Sequence, residues 1–113
     1  MSGLGKGRVA EQAAADYLIA RGLRLVERNW RCKGGEIDLV MQDGATLVFV
    51  EVRARGGMGF GGAAASITAA KRARVILAAR HYLLARKVDA PCRFDAVLVQ
   101  NGRLEWLRGA FEA

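Results

Sequence analysis

The stretch over residues 35–55 constrains the fold of this chain more than any other part of its sequence. It is patterned as two strands around Asp43-Gly44, a dipeptide typical of a two-residue hairpin turn. The second strand carries an apolar run over residues 47–50, which indicates a strand buried on both faces in the centre of a sheet. The rest of the chain then has to provide the neighbours of this central strand.

The segment before the hairpin predicts a helix and a strand. Residues 8–21 are rich in alanine, with apolar positions at helical spacing, and Gly22 follows them as a helix C-cap would. Residues 23–31 suit an outer strand of the sheet. Together with the hairpin, these elements predict a helix followed by an antiparallel meander of three strands.

The segment after the hairpin predicts a second helix and a second hairpin. Ser66 is the predicted N-cap of a long helix that ends near Arg86. Residues 92–100 and 103–111 flank Asn101-Gly102, another hairpin turn. The crossover from the third strand through the helix to the fourth strand should be parallel and right-handed. The predicted class is therefore α/β, a mixed central sheet in α-β-β-β-α-β-β order with helices packed on it.

Length and composition limit the kind of protein. The 113 residues suffice for one core but not two, so we expect a single domain over residues 1–113. Hydrophobic residues at 52% and charged residues at 26% are typical of a globular chain rather than a fibre or a disordered tail. No apolar run approaches the ~18 residues of a membrane span, so we expect a cytoplasmic protein with no membrane partner.

The charge of the chain is one-sided. There are 18 lysine and arginine residues against 11 acidic residues, a formal net charge of +7. No acidic residue stands between Glu51 and Asp89. The basic residues inside that gap are Arg53, Arg55, Lys71, Arg72, Arg74, Arg80, Arg86 and Lys87. This pattern favours nucleic acid as a partner over an anionic membrane surface, an acidic protein or a merely solvated helix face.

Three acidic residues fall together in the predicted hairpin. Side chains alternate along a strand, so Glu36 and Asp38 share one face. With Asp43-Gly44 as the turn, the register places Glu51 on that same face, opposite Glu36 and diagonal to Asp38. Opposed carboxylates are unfavourable unless a cation or basic groups neutralise them.

Two kinds of compensation are open. A hard divalent ion such as Mg²⁺ binds one or two carboxylates, with water and phosphate oxygens as its other ligands. Alternatively, Arg31, Arg53 and Arg55 satisfy the charges of a solvent-facing hairpin. We favour the ion, because Glu51 follows an apolar run directly and the most basic segment adjoins it. An acidic cluster beside a basic patch is the layout expected for metal-assisted cleavage of a phosphodiester.

The same segments resemble known proteins. "EIDLV" followed by "VFVEVRAR" resembles the PD-(D/E)xK restriction-endonuclease-like superfamily. More closely, "AEQAAADYLIARG", "ERNWRCKGGEIDLV", "LVFVEVRAR", "SITAAKRARVILAARHYL" and "CRFDAVLV" resemble the YraN family of uncharacterised bacterial proteins, which is similar to the archaeal Holliday junction resolvases of that superfamily. The resemblance covers nearly the whole chain. It implies a restriction-endonuclease-like fold and a Mg²⁺- or Mn²⁺-dependent endonuclease acting on structured or branched DNA.

The resemblance also implies roles for individual residues. Asp38 and Glu51 are implied as metal ligands, and Glu11 as a third acidic contributor; alternatively, Glu11 is a glutamate near a helix N-terminus that the macrodipole favours. Arg53 stands where the superfamily has a catalytic lysine, and arginine stays charged, so it can position or stabilise but not exchange a proton. Lys71 resembles a lysine of the family, with three positions open: near the site, on a phosphate, or in solvent.

The remaining predicted residues concern binding and structure. Glycines 57, 59 and 62 match G-x-G-x-x-G, but the acidic residue expected about 20 positions further on is missing, so a dinucleotide site is rejected. Phe60 in this loop is a candidate to stack on a base. Glu36 is assigned a supporting role, and Asp95 a structural one, pairing with Arg93 or a backbone group. The predicted nucleic-acid contacts are Arg55, Phe60, Lys71, Arg72 and Arg74.

Three functions from different classes are consistent with these features. The first is a metal-dependent nuclease, and the second is a non-catalytic nucleic-acid-binding protein that retains the nuclease fold. The third is an adaptor whose basic helix binds an acidic protein. The expected partner is nucleic acid, specifically DNA, and a homodimer is left open.

Overall fold

A computed structural model describes the backbone of residues 2–55 and 67–113, with side chains over residues 7–54 and 67–113. The elements are α1 (Ser2–Ala20), β1 (Arg24–Cys32), β2 (Gly35–Asp43), β3 (Thr46–Arg55), α2 (Ala69–Arg86), β4 (Cys92–Gln100) and β5 (Arg103–Phe111). The strands form one sheet in the order β1-β2-β3-β4-β5. The β3–β4 pair is parallel and the other three pairs are antiparallel. The predicted mixed α/β architecture and element order are confirmed.

The two helices cover opposite faces of the sheet. Phe49 of β3 packs beneath α2 with Val75 and Tyr82, whereas Val50 packs beneath α1 with Leu18. Because both faces of β3 are covered, its side chains are apolar in both directions, which explains the unbroken run in the sequence. Within the described ranges, no helix combines the length and the apolar character that crossing a bilayer requires.

Helix α1 is longer than its sequence pattern predicts. It begins at Ser2 rather than at residue 8. Glu11 therefore lies in the middle of the helix, and its interpretation as a residue near the helix N-terminus is wrong. The C-terminal end matches the prediction: Gly22 has φ 99° and its N–H donates to the Ile19 carbonyl at 3.0 Å. Glycine adopts this left-handed conformation at the least steric cost, so it ends the helix.

Helix α2 is capped by a different residue from the one predicted. Its N-cap is Thr68, whose hydroxyl accepts a hydrogen bond from the Lys71 N–H at 3.1 Å. The predicted N-cap Ser66 is wrong, because a cap must lie immediately before the first helical residue, here Ala69. Ser66 itself lies outside the described residues. The position of Lys71 in the first turn of α2 follows from this cap.

The β2–β3 turn is displaced by one residue from the predicted turn. Asp43 pairs with Thr46, so the turn residues are Gly44 and Ala45 rather than Asp43-Gly44. Gly44 has φ 60°, and glycine in the first central position is what a type II′ hairpin turn requires. The displacement moves every β2 residue two places relative to its predicted partner on β3.

Gly35, at the start of β2, allows α2 to lie close to the sheet. A Cβ atom at this position would collide with the main-chain oxygen of Arg74 and lie 3.2 Å from the Cβ of Ala78. Glycine is therefore required by close approach rather than by a turn. The contact holds the N-terminal half of α2 over the ends of β2 and β3 that carry the acidic residues.

Candidate active site

The observed register brings Asp38 and Glu51 together. The paired residues of β2 and β3 end at Leu39 and Val50, and one step further in the same register would join Asp38 and Glu51. Glu36, which was predicted to lie opposite Glu51, is two residues further along β2, so that prediction is wrong. A shift of two residues preserves the face of each side chain, because strand side chains alternate with a period of two.

The carboxylate of Asp38 links β2 to β3 beyond the last paired residues of the two strands. Oδ2 of Asp38 accepts a hydrogen bond from the Val52 backbone N–H at 2.8 Å. In a continued antiparallel ladder this N–H would instead donate to the main chain of Ile37. A side chain thus replaces a main-chain acceptor, and it fixes the Asp38 carboxylate beside β3.

The sheet is also irregular on the other side of Asp38. The register of β1 and β2 places Asn29 across from Asp38, and Asn29 has φ 51°. Leu39 packs beneath α1, whereas Ile37, two residues away, packs beneath α2. In a regular strand both would lie on one face. The strand changes face at Asp38, which lies within electrostatic range of groups on both helices.

Glu51 is buried without full compensation. It is 1% exposed, and its Oε1 has no hydrogen-bond partner within residues 7–54 and 67–113. Burial, and then the negative charge of Asp38, raise the pKa of Glu51 to about 8, against the opposing effect of Lys71. Burial also raises the pKa of Asp38, and its bond from the Val52 N–H opposes this rise. The pair therefore retains a proton at neutral pH unless a further cation joins it.

Lys71 reaches this pair from α2. Its Nζ lies 3.5 Å from Oε2 of Glu51 and 3.6 Å from Oε2 of Glu36, and its side chain is 20% exposed. Of the three positions left open by the sequence, the structure places Lys71 near the site. The sequence gives no direct signal of this contact, because it depends on the packing of α2 against Gly35.

Glu11 faces the same region from α1. Burial, and then the charge of Asp38, raise the pKa of Glu11; a hydrogen bond with Asn29 and the charge of Arg31 oppose the rise. Glu11 is therefore turned towards the sheet. Nevertheless, no three acidic, histidine or cysteine side chains in the described parts of the chain lie close enough together to hold one ion. Asp38 and Glu51 remain the candidate protein ligands.

The predicted basic residues differ in how they relate to the site. Arg53 is half-buried, and its positive charge opposes the rise in the pKa of Glu51. Arg72 donates from Nε to the Ile67 carbonyl at 3.1 Å, and Arg74, two residues further along α2, is exposed. Arg53 and Lys71 thus join the carboxylates, while Arg72 and Arg74 lie further along α2. The Arg55 side chain, Phe60 and the glycines at 57, 59 and 62 lie outside the described residues.

Asp95 has the structural role that the sequence predicts. Its two oxygens accept hydrogen bonds from Arg93 Nε at 2.9 Å and Nη2 at 3.0 Å. Trp106 Nε1 and the Gly109 N–H each donate at 2.9 Å. The sequence did not predict the partners on β5, because a register shift in the β4–β5 pair brings them to Asp95.

The chain matches a family and many relatives. The model of the family described as "Uncharacterised protein family UPF0102" matches residues 10–99. A UPF0102 protein of Dechloromonas aromatica is 59% identical over 108 residues, covering 96% of this chain and 89% of the relative. One of Cupriavidus taiwanensis is 62% identical over 110 residues, covering 96% and 83%. One of Nitrosomonas europaea is 56% identical over 110 residues, covering 95% and 93%. The matched span contains the entire candidate site.

Proposed function

The chain belongs to the UPF0102 family, and from the geometry of its carboxylate pair we propose that it is a metal-dependent endonuclease. The proposed reaction is hydrolysis of a phosphodiester in structured or branched DNA, on a fold of the restriction-endonuclease-like kind. The observation that carries the proposal is the buried Glu51, whose Oε1 lacks a partner in the described parts of the chain while Asp38 lies beside it. Such an uncompensated pair is costly to folding, which a purely structural role does not explain.

The donor set suits Mg²⁺ or Mn²⁺. Both ligands are carboxylate oxygens, and these ions combine one or two carboxylates with water and phosphate oxygens. Asp38 and Glu51 would hold the ion, and its charge would favour the ionised form of both. When bound, the ion supplies Lewis-acid polarisation of the phosphate and activation of the attacking water.

The basic residues of the site act on charge and position. Lys71 lies between Glu36 and Glu51, where its ammonium group orients Glu51 and can stabilise negative charge developing on the phosphate. Arg53 adds a permanent positive charge from β3, two residues after Glu51. Arg72 and Arg74, both exposed on α2, add positive charge close to Lys71 and would contact neighbouring phosphates. Catalysis thus does not require a lysine at position 53, because α2 supplies an amine.

The second candidate function is a nucleic-acid-binding protein without catalysis. One observation favours it: Lys71 already provides a cation between Glu36 and Glu51. In this case the carboxylates serve to hold α2 on the sheet, and the basic surface binds the polyanion. The two functions differ in whether Asp38 and Glu51 bind a divalent ion.

Cleavage of a DNA panel tests the proposal. Linear, flapped, single-stranded and four-way-junction DNAs are incubated with Mg²⁺ or Mn²⁺, and binding and cleavage are scored separately. We expect cleavage that disappears in the Asp38→Ala, Glu51→Ala double variant while binding persists. Glu27→Gln is the matched control, since Glu27 pairs with Arg86 and takes no part in the site. Binding without cleavage of any substrate, and without Mn²⁺-induced NMR broadening, would defeat the nuclease proposal.

Variants of the two basic residues test their roles. Arg53→Lys should retain cleavage, whereas Arg53→Ala and Lys71→Ala should each lose roughly 10²-fold, as when one preorganised donor is removed. The variants are compared across pH with saturating Mn²⁺ on one DNA substrate. A gain of activity in Arg53→Lys over a nearly inert wild type would show instead that a titrating amine is needed at position 53.

A further inference from the structure

A polar cleft lies between α1 and β1, beside the carboxylate pair. Its volume is about 390 Å³, and it is lined by Arg8, Glu11, Gln12, Arg28 and Asn29. The three α1 residues are spaced i, i+3 and i+4, so they share one face of the helix. Since Glu11 also interacts with Asp38, the cleft opens directly next to the candidate active site.

The cleft carries two exposed guanidinium groups. In the part of the chain that the structure describes, neither Arg8 nor Arg28 forms an ion pair, although Arg86 and Arg93 are each held by carboxylates. Glu11 is the acidic residue of the lining, so two positive charges face one negative charge. The amides of Gln12 and Asn29 add polar atoms, and Gln12 already donates one hydrogen bond to Asp16 at 2.8 Å. The cleft therefore presents a surplus of hydrogen-bond donors with positive charge.

Resting on the proposed function, we propose that this cleft binds a phosphate group of the nucleic-acid strand held at the site. Guanidinium groups donate paired hydrogen bonds that match phosphate oxygens, and two residues that carry such groups line this cleft.

The position of the cleft defines a path for the strand. Lys71 approaches the carboxylates from α2, whereas Arg8 and Arg28 line the cleft on α1 and β1, together with Glu11, which interacts with Asp38. A strand that contacts both basic surfaces would cross the sheet where the β2–β3 pairing ends, next to Asp38 and Glu51. Holding the backbone on both sides of one phosphodiester orients that bond for attack, which is the entropic part of catalysis.

Charge removal at the cleft tests the inference. The Arg8→Ala, Arg28→Ala double variant is compared with the Arg21→Ala, Arg24→Ala double variant, which removes two exposed arginines near the C-terminal end of α1 and the start of β1. Binding of a single-stranded oligonucleotide and of a four-way junction is measured against salt concentration in EDTA. We expect the cleft variant to flatten the log-log salt slope by up to about two units, with no change in the matched control.

Two further measurements test whether the effect depends on the charge of the two arginines and on a nucleic-acid strand. Arg8→Lys, Arg28→Lys should restore most of the salt slope, because it keeps both charges. The NMR signals of the Gln12 and Asn29 side-chain amides should shift with the oligonucleotide, and inorganic phosphate at equal phosphate concentration should shift them far less. Equal shifts with inorganic phosphate would mark a site for a free anion and overturn the assignment to a strand.

The failures of the two proposals are distinguishable. If the Arg8 and Arg28 variant keeps the wild-type slope while Arg72→Ala, Arg74→Ala flattens it, the cleft inference is overturned and the proposed function stands. If the wild type binds none of the nucleic acids, both are overturned.

Discussion

Asp95 and Glu51 are both buried carboxylates on neighbouring strands, yet their surroundings differ sharply. Asp95 accepts four hydrogen bonds, from the Arg93 guanidinium, the Trp106 indole and the Gly109 N–H. Glu51 has one cation 3.5 Å away, and its other oxygen has no partner in the described parts of the chain. This fold can thus satisfy a buried carboxylate completely. Because it does not do so at Glu51, we attribute the cost there to function rather than to stability.

The partners of the two carboxylates also differ in which elements of the chain supply them. Those of Asp95 belong to β4 and β5, one hairpin closed by an Asn101-Gly102 turn. The cation near Glu51 belongs to α2, which is held on the sheet by its contact with Gly35. Asp95 is therefore fixed by a local ladder, whereas the position of the cation near Glu51 depends on the packing of α2 against β2.

Removing Asp95 should have the largest effect on stability. Asp95→Ala leaves two N–H donors without their acceptor and the Arg93 guanidinium with Asp43 as its remaining carboxylate partner, and we expect a loss of about 3–5 kcal/mol in the free energy of unfolding. Urea denaturation at pH 7 measures it. Glu51→Gln, which resembles the protonated carboxyl that the buried pair retains at this pH, should cost far less. Equal losses in the two variants would remove the distinction between the sites.

The stability of the metal-free protein should fall as pH rises. Glu51 has a pKa of about 8 in the folded protein against a reference value of 4.5, so between these values the folded state binds more protons than the unfolded state. Raising the pH through this window therefore favours unfolding, by an amount on the order of 2–4 kcal/mol. Urea denaturation in EDTA at pH 5 and pH 8 measures the difference.

Two variations isolate the contribution of Glu51. Glu51→Gln should reduce the decline between pH 5 and pH 8, because the group no longer titrates. Adding Mg²⁺ should reduce it in the wild type, because an ion favours the charged carboxylates. A decline of the same size in the wild type and in Glu51→Gln would assign the pH dependence to other groups.

Substituting Gly35 should disturb the Glu51 region while leaving Asp95 intact. Gly35→Ala forces β2 and α2 apart, and we expect a loss of about 1–3 kcal/mol, typical of overpacking. The indole N–H signal of Trp106, which bonds to Asp95, should stay in place in NMR spectra. Gly7→Ala is the matched control: a Cβ there meets no atom within 4 Å, so this change in α1 should be neutral or stabilising. A neutral Gly35→Ala would mean that α2 is free to shift on the sheet.

The smallest effect is expected at an exposed ion pair. Glu27 accepts hydrogen bonds from Arg86 at 2.8 and 3.3 Å, but the Arg86 side chain is 48% exposed. Glu27→Gln should therefore change the free energy of unfolding by less than about 1 kcal/mol. Thermal denaturation at low and high salt checks this value. A larger loss would mean that the hydrogen-bond geometry of this ion pair outweighs its exposure to solvent.

Much of the fold followed from the sequence because its signals are local. The apolar run over residues 47–50 identified the central strand, and Asn101-Gly102 identified the last turn. Local signals failed where two nearby residues were both suited to the same cap or turn position. Thr68 rather than Ser66 caps α2, and Gly44 begins the β2–β3 turn instead of ending it. Neighbouring residues of similar propensity leave such a choice to tertiary packing.

The site was predicted less completely, because its key features act through space. Asp38 and Glu51 were identified, but the partner of Glu51 across the hairpin depended on the turn, and one displaced residue changed it from Glu36 to Asp38. The approach of Lys71 depends on Gly35, a glycine without a positive φ that gives no turn signal in the sequence. Contacts between elements that are distant in the chain produce no periodic pattern in the sequence.

The hydrogen bond from Val52 to Asp38 gives the protein an intrinsic spectroscopic reporter. A main-chain N–H in a sheet usually donates to the carbonyl oxygen of another peptide group, and its proton resonance changes little when a nearby group titrates. The Val52 amide donates to a carboxylate instead, at 2.8 Å. Its resonance and its rate of exchange with solvent should therefore follow protonation or ligand binding at Asp38 directly. The state of the Asp38 carboxylate can thus be followed in solution without an attached probe and without a substrate.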